Sequence, residues 1–228
     1  ALPRELRPGV LGVNVGKNGD TPNERAEEDY LACIDGLHPH ADYLVVNLSS
    51  PNTPGLRALQ ERGPLERLLG ACAGRARAVG KPLLVKLAPD LAPEALDEAV
   101  DVAVACGAAG VVATNTTIQR PGAIASHRLA GEAGGLSGAP LEPLSTEAVR
   151  RAFVRARGRL PVVGVGGVMD AEDAYRKIRA GASLVQAYTG FVYGGPRFAP
   201  RLLHGLASLL RRDGFSTVAD AVGVDART

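Results

Sequence analysis

The sequence predicts an α/β fold in which parallel strands alternate with helices. Short apolar segments and amphipathic segments alternate through six units of about thirty residues each. No linker or shift in composition divides them, so we expect one domain over residues 1–228. Alternating strands and helices place the helices outside a parallel sheet. Two sheet architectures are compatible with this pattern, an open doubly wound sheet and a (β/α)8 barrel.

The motif content and the strand count favour the barrel. No Gly-x-Gly-x-x-Gly motif follows the first strand, which disfavours a dinucleotide-binding doubly wound sheet. A complete barrel has eight strands and about 250 residues, whereas only six units are predicted here. We therefore expect an incomplete (β/α)8 barrel with about six of its eight units, truncated at its N-terminus. A closed six-stranded sheet, with an N-terminal strand paired to the sixth, would contradict this expectation.

The first half of the chain contains four of the predicted strands. They are expected at Val10–Val15, Tyr43–Leu48, Leu83–Leu87 and Gly110–Ala113. The helices between them are expected at residues 24–37, from Pro64 to about Val79, and from Pro93 to just before Gly107. Proline at the first position of a helix and glycine just beyond its end support the last of these boundaries.

A segment rich in glycine and proline interrupts the alternation at residues 118–144. A long excursion of this kind inside a compact domain is usually a functional loop. The elements expected after it are a helix that Ser145 caps and that ends near Arg157, a strand at Pro161–Val165, a short helix that Asp170 caps, a strand at Leu184–Ala187 and a final helix after Pro196.

Composition and charge argue against several function classes. The net charge is +2 and the arginines are scattered along predicted helices, so we expect no nucleic-acid partner. No run of eighteen apolar residues is present, so we expect no transmembrane segment. Cys33, Cys72 and Cys106 are widely spaced in predicted helices, which is typical of core residues in a reducing compartment. No pair of histidines has metal-ligand spacing.

Polar residues or glycines follow each predicted strand. The carboxyl ends of parallel strands lie on one face of a barrel, so these residues are expected to converge on a small-molecule site. They are Asn14, Asn47 with Ser50, Lys86, Thr114-Asn115-Thr116, Gly166-Gly167 and Tyr188-Thr189.

Lys86 and the glycines suggest the chemistry of this site. A lysine at the end of a buried strand requires an anion or another partner, as a Schiff-base amine or as a cation beside a ligand, unless it reaches the barrel rim. The glycines at 164–167 and 136–138 either cradle a phosphate or only form tight turns. Ser50 is the only candidate nucleophile or base in the loop after the second strand. We expect a metal-free, amide-rich, phosphate-binding site with one lysine.

Seven motifs in order resemble those of the quinone-dependent, membrane-associated class of dihydroorotate dehydrogenases. They are residues 12–18, 47–53, 85–90, 113–117, 134–138, 164–167 and 181–186, within a match from about residue 10 to residue 223. The resemblance implies an FMN-bearing (β/α)8 barrel that oxidises dihydroorotate to orotate in pyrimidine biosynthesis and passes the electrons to a quinone.

The resemblance also implies roles for single residues. Ser50 resembles the base that removes the C5 proton of the substrate, and the soluble classes have cysteine there. The implied substrate-binding residues are Asn47, Asn52, Asn115 and Thr116. The implied FMN-binding residues are Asn14, Asn47, Lys86 and Thr114, together with Gly138, Gly167, Tyr188 and Thr189 around the phosphate.

The family's N-terminal helical pair, which binds membrane and quinone, and its first barrel strands have no counterpart in this sequence. We expect the full-length protein to be peripheral on the cytoplasmic side of the cell membrane. This chain alone is expected to be soluble, to leave one side of the flavin exposed, and to be inactive or poorly active in quinone-linked turnover. The alternatives are a dihydrouridine synthase-like flavoenzyme, a lyase that uses Lys86 as a Schiff-base amine, and an inactive fragment.

Overall fold

The computed structural model describes residues 9–226, which contain six parallel strands with helices between them. The strands are β1 (Gly12–Val15), β2 (Tyr43–Asn47), β3 (Leu83–Leu87), β4 (Gly110–Ala113), β5 (Val162–Val165) and β6 (Ala182–Gln186). They lie side by side in chain order, and every neighbouring pair is parallel. Within residues 9–226, β1 and β6 do not pair with each other, so the sheet is open there.

The helices pack on one side of this sheet. They are α1 (Ala26–Leu37), α2 (Arg62–Ala78), α3 (Pro93–Ala105), α4 (Glu142–Ala156), α5 (Ala171–Arg179), α6 (Thr189–Gly194), α7 (Phe198–Arg212) and α8 (Val218–Ala221). Short 3-10 helices occur at Asn23–Arg25, His38–His40, Leu56–Gln60, Gly122–Ser126 and Ala139–Leu141.

The two faces of the sheet carry different side chains because successive strand residues point to opposite sides. One face forms the main core with the helices, and its fully buried members include Leu44, Val85 and Val111. The other face lines the inside of the curled sheet, where Val45, Val112 and Val163 form a separate apolar cluster. This arrangement is that of a partial (β/α)8 barrel.

The strand register fixes which polar side chains point inward. Asn47 on β2 is paired with Lys86 on β3, and Asn14 on β1 is paired with Val45 on β2. Since alternate residues share a face, Asn14, Asn47 and Lys86 lie on the same inner face as Val45 and Val112. The inner face is therefore apolar in the middle and polar at the carboxyl ends of its strands.

All six predicted strands are found, with ends that differ by no more than two residues from the expected ones. The prediction that Ser145 caps a helix is wrong. That helix, α4, begins at Glu142 with a proline in its first turn, and Ser145 is fully buried inside it. Asp170 does cap α5, because its carboxylate accepts a hydrogen bond of 2.9 Å from the N–H of Asp173. The short helices α6 and α8 were not predicted.

The glycine-rich excursion is an ordered loop in the structure. An antiparallel bridge joins Thr117, just before the excursion, to Leu136 within it. The guanidinium group of Arg120 donates hydrogen bonds to the carbonyl oxygens of Glu132 and Gly134, at 3.1 and 2.9 Å. These bonds hold the returning part of the loop beside the carboxyl end of β4.

None of the helices in residues 9–226 is long and apolar enough to cross a membrane. The same residues contain no group of three or more His, Cys, Asp or Glu side chains that could hold a metal ion. The three cysteines are free thiols, and burial raises the pKa of the Cys72 thiol to about 12. They pack as part of the helix-side core.

Candidate functional site

A cavity of about 600 Å³ lies at the carboxyl ends of β3, β4, β5 and β6. This volume is within the range of small-molecule sites, which is about 300–1,000 Å³. Eight of the predicted site residues line it: Lys86, Thr114, Asn115, Thr116, Gly138, Gly167, Tyr188 and Thr189. The cavity is also lined by Ser137, from the predicted phosphate cradle, and by Gly135, Met169 and Gln186, to which no individual role was predicted.

Glycines form one wall of this cavity at positions where a side chain would not fit. A Cβ atom at Gly167 would lie 2.4 Å from the Cα of Glu142, and Gly167 has a φ of +74°. Gly138 is also buried with a positive φ, and next to it the hydroxyls of Ser137 and Thr189 lie 2.9 Å apart. The N–H of Gly167 has no acceptor among residues 9–226. Exposed N–H groups and hydroxyls of this kind suit an anionic ligand.

Lys86 lies between Asn47 and Val112 on the inner face. Its side chain lines the main cavity and also a second cavity of about 200 Å³ inside the curled sheet, which Asn14 and Gln186 line as well. Burial lowers the pKa of Lys86. Within the described part of the chain, its ammonium group makes no hydrogen bond or ion pair. A partly buried, unpaired cation is costly, so it is available for negative charge on a ligand.

A network of amides and hydroxyls spans the ends of β2 and β4. The Nδ2 of Asn115 donates to Oδ1 of Asn47 and to Oγ of Ser49, both at 3.1 Å. Oδ1 of Asn115 accepts the N–H of Thr116 at 2.8 Å. Asn115 therefore uses both of its N–H donors inside the protein. The amide N–H groups of Asn47 have no acceptor within residues 9–226 and can donate to a ligand.

Ser50 and Asn52 lie at the edge of the main cavity. Neither residue lines the cavity. The loop that carries them lies against the glycine-rich excursion, since a Cβ atom added at Gly134 would be 3.3 Å from Oδ1 of Asn52. Oγ of Ser50 accepts the N–H of Asn52 at 3.3 Å. In the described residues the Ser50 hydroxyl has no acceptor for its own proton. The N–H of Asn52 thus orients the hydroxyl oxygen of Ser50, and Ser50 is half-buried.

Arg57, for which no role was predicted, connects three strand-end loops. It donates to the carbonyl oxygen of Ser49 at 3.1 Å and to that of Thr116 at 2.8 Å. It also forms an ion pair of 2.7 Å with Asp90, whose side chain is only 11% exposed. Asp90 in turn accepts bonds from the hydroxyl of Thr117 and the N–H of Ile118. The only indication of this contact in the sequence was the ion-pair partner of Arg57, Asp90, which is the last residue of the motif at residues 85–90.

Lys177 is a second functional candidate that sequence reasoning missed. It is fully buried on α5, behind the glycine wall, and its ammonium group contacts the hydroxyls of Ser145 and Thr146. The only sequence signal was its position one turn after the buried Ala174 on the inward side of the helix.

Comparison with known proteins gives a consistent result. A family model described as Dihydroorotate dehydrogenase matches residues 3–210. The dihydroorotate dehydrogenase (quinone) of Anaeromyxobacter dehalogenans strain 2CP-C is 70% identical over 229 residues, which is 100% of this chain and 63% of that protein. The enzyme of the same name from Myxococcus xanthus strain DK1622 is 57% identical, covering 97% of this chain and 61% of that protein.

Solved structures agree with these sequence relatives. A crystal structure of DHODH from Eimeria tenella in complex with ferulenol superposes with a TM-score of 0.90 and 40% identity, covering 96% of this chain and 63% of that chain. The chain spans 63% and 61% of the lengths of the two relatives named above.

Proposed function

The chain belongs to the dihydroorotate dehydrogenase family, and on this basis we propose that its main cavity binds FMN and that the adjoining loops bind dihydroorotate and oxidise it to orotate. The observation that carries the proposal is Lys86, a partly buried cation without a partner among residues 9–226, whose side chain lines a glycine-walled cavity. The names of the relatives support a quinone as the electron acceptor of the whole protein. We also propose that the whole protein attaches peripherally to the cytoplasmic side of the cell membrane, because quinones reside within the membrane.

The residues present fit FMN. The family is flavin-dependent, and the phosphate of FMN requires several donors in a confined space. Gly167 offers backbone at a position where no side chain fits, Gly138 offers backbone with a positive φ, and Ser137 and Thr189 offer hydroxyls beside them. We assign the phosphate end to this wall, with Tyr188 flanking it. Thr114 adds a further contact from the end of β4.

Lys86 is proposed to contact the flavin ring, together with Asn14 and Asn47 on the same inner face. When bound, FMN supplies the acceptor for the hydride that leaves the substrate. A fixed ammonium group in a water-poor site stabilises negative charge more strongly than it would in water. Lys86 is therefore suited to hold the negative charge that the ring gains.

The amide network is proposed to bind the substrate. Asn47 and Asn52 offer donors and acceptors, and Asn115 orients Thr116 through a bond to its N–H. These groups match the ring carbonyls, ring N–H groups and carboxylate of dihydroorotate. Ser50 is proposed as the base that takes the C5 proton. The N–H of Asn52 supports this role because a donor to Oγ stabilises partial negative charge on the oxygen.

The test of this proposal compares Ser50→Ala with the wild type after FMN loading. Dihydroorotate is added without oxygen and the visible flavin band is followed. Loss of a general base costs about 10²- to 10⁴-fold, so bleaching should slow by at least about 100-fold while the affinity for FMN is unchanged. Ser126→Ala, on the exposed part of the excursion, is the matched control. Bleaching of Ser50→Ala at the wild-type rate would overturn the assignment of the base.

A lyase with Lys86 as a Schiff-base amine is the second candidate, because burial lowers the pKa of Lys86 and so favours its neutral, nucleophilic form. Trapping of a carbonyl substrate on Lys86 by borohydride would favour this candidate, and a bound flavin would disfavour it. The inactive-fragment alternative predicts FMN binding without bleaching by dihydroorotate.

A further inference from the structure

Lys177 is a fully buried lysine whose direct partners carry no charge. Its ammonium group donates to Oγ of Ser145 at 2.6 Å and to Oγ1 of Thr146 at 2.8 Å. Glu142 and Asp173 are nearby carboxylates, but within residues 9–226 both form ion pairs with Arg176 and neither forms one with Lys177. Burial lowers the pKa of Lys177 to about 8. A buried ammonium group with only hydroxyl partners is unfavourable for the empty protein.

Ser145 connects Lys177 to the cavity wall through hydrogen bonds. Because the ammonium group donates to Oγ of Ser145, the hydroxyl hydrogen of Ser145 must point to another acceptor. That acceptor is the carbonyl oxygen of Gly166 at 2.8 Å, or that of Glu142 at 3.0 Å. Ser145 has no exposed surface, so no water competes for this hydrogen. The bonds thus run from Lys177 through Ser145 to the backbone of the turn after β5.

The bond to Gly166 sets the direction of the next N–H group. The peptide between Gly166 and Gly167 is trans, so its carbonyl and its N–H point in opposite directions. The carbonyl points back to Ser145, behind the wall, and the N–H of Gly167 therefore points to the cavity that both glycines line. This is the N–H that has no acceptor within the described residues.

We propose that Lys177 is a positioning residue for the phosphate end of FMN. Acting through Ser145, it holds the Gly166–Gly167 peptide with its N–H toward the phosphate, and it places a positive charge behind the glycine wall. A charge in the low-dielectric interior acts over a longer distance than one in water. This inference rests on the proposed function, because the phosphate of FMN is the ligand that it concerns.

The experiment compares the affinities for FMN and for riboflavin, which lacks the phosphate. Fluorescence titrations are carried out at neutral pH with the wild type, Lys177→Met and Ser145→Ala. Lys81→Met is the control, because Lys81 contacts the carbonyl of Ala41 at the opposite end of the strands. We expect the wild type and the control to prefer FMN. Lys177→Met and Ser145→Ala should lose FMN affinity by about tenfold, the effect of one charge-assisted hydrogen bond, with riboflavin affinity unchanged.

The outcomes separate this inference from the proposed function. An unchanged preference for FMN in Lys177→Met overturns the inference and leaves the proposed function intact. An equal loss of both flavins also overturns it, because that result indicates a merely structural lysine. A wild type that binds neither flavin overturns the proposed function and the inference with it. If circular dichroism shows that Lys177→Met does not fold, the preference of Ser145→Ala decides in the same way.

Discussion

The side-chain amide of Asn115 donates a hydrogen bond of 3.1 Å to Oδ1 of Asn47, across the intervening strand β3. The strands that carry these residues, β4 and β2, are the two neighbours of β3, whose penultimate residue is Lys86. The bond therefore links the two sides of the site over the position of this partly buried lysine. It fixes the orientation of Asn47, so that the free N–H groups of Asn47 are left for a ligand.

Replacement of Asn115 should weaken both the fold and the site. Asn115→Ala removes the bonds to Asn47 and Ser49 and the acceptor for the N–H of Thr116. We expect a loss of about 1–3 kcal/mol in the free energy of unfolding, since the partners are left unpaired, and a weaker affinity for orotate. Urea unfolding and an orotate titration measure the two effects. Gln119→Ala, at an exposed position four residues along, should change neither; equal effects of both substitutions would contradict the role of the network.

Replacement of Lys86 by methionine should separate stability from binding. Lys86 is partly buried without a partner in residues 9–226, and an apolar residue of similar length removes this unfavourable charge. We expect Lys86→Met to raise the melting temperature of the flavin-free protein and to weaken FMN binding by at least about tenfold, because the ring loses its cation. Differential scanning calorimetry and a flavin titration provide the two readouts. A less stable variant that binds FMN normally would show that Lys86 has a structural role.

Gly135 should not tolerate even a methyl group. A Cβ atom there would lie 1.9 Å from Oγ1 of Thr116 and 2.9 Å from Cγ of Pro51. Gly135→Ala must therefore push the excursion away from the site, at a cost of about 1–3 kcal/mol for overpacking, and orotate binding should weaken. Gly131→Ala is the matched control in the same loop, because nothing lies within 4 Å of its Cβ position. Similar stability and orotate affinity in the two variants would contradict the close contact at Gly135.

The pH dependence of stability should reveal the buried ammonium group of Lys177. Burial lowers its pKa to about 8 in the folded protein, and an unfolded lysine has a pKa of about 10.4. Between these two values the unfolded chain holds a proton that the folded chain has released, so this group makes the folded state more stable as the pH rises.

The comparison with Lys177→Met isolates this contribution from other groups. The thiol of Cys72 and the phenol of Tyr30 have raised pKa values and act in the opposite direction, but they are the same in both proteins. From pH 7 to pH 10, the wild type should gain about 1–3 kcal/mol relative to Lys177→Met in urea unfolding. A difference that does not vary with pH would mean that Lys177 keeps its usual pKa.

The sequence was sufficient to predict the elements of the fold and most of the cavity wall. Apolar periodicity located all six strands, and the rule that strand ends converge identified Lys86, Gly167 and Thr189 as neighbours. Both results depend on patterns within one element or on a general property of parallel sheets, so they do not require knowledge of packing.

The residues that support the site through contacts between distant parts of the chain could not be predicted in this way. Arg57 contacts Thr116 across 59 positions, and Lys177 contacts Ser145 across 32. Such bonds depend on how helices and loops pack, which no local pattern contains. Ser145 was assigned as a helix cap because serine is common there; in the structure the helix begins at Glu142, and the hydroxyl faces Lys177 and Gly166 instead.

The most direct test of the account is a visible absorption spectrum of the purified protein after incubation with FMN and gel filtration, recorded before and after anaerobic addition of dihydroorotate. The account predicts a flavin band that elutes with the protein and bleaches when dihydroorotate is added. Protein that elutes without flavin would contradict the assignment of the main cavity to FMN. A bound flavin that dihydroorotate leaves oxidised would contradict the reaction proposed for this site.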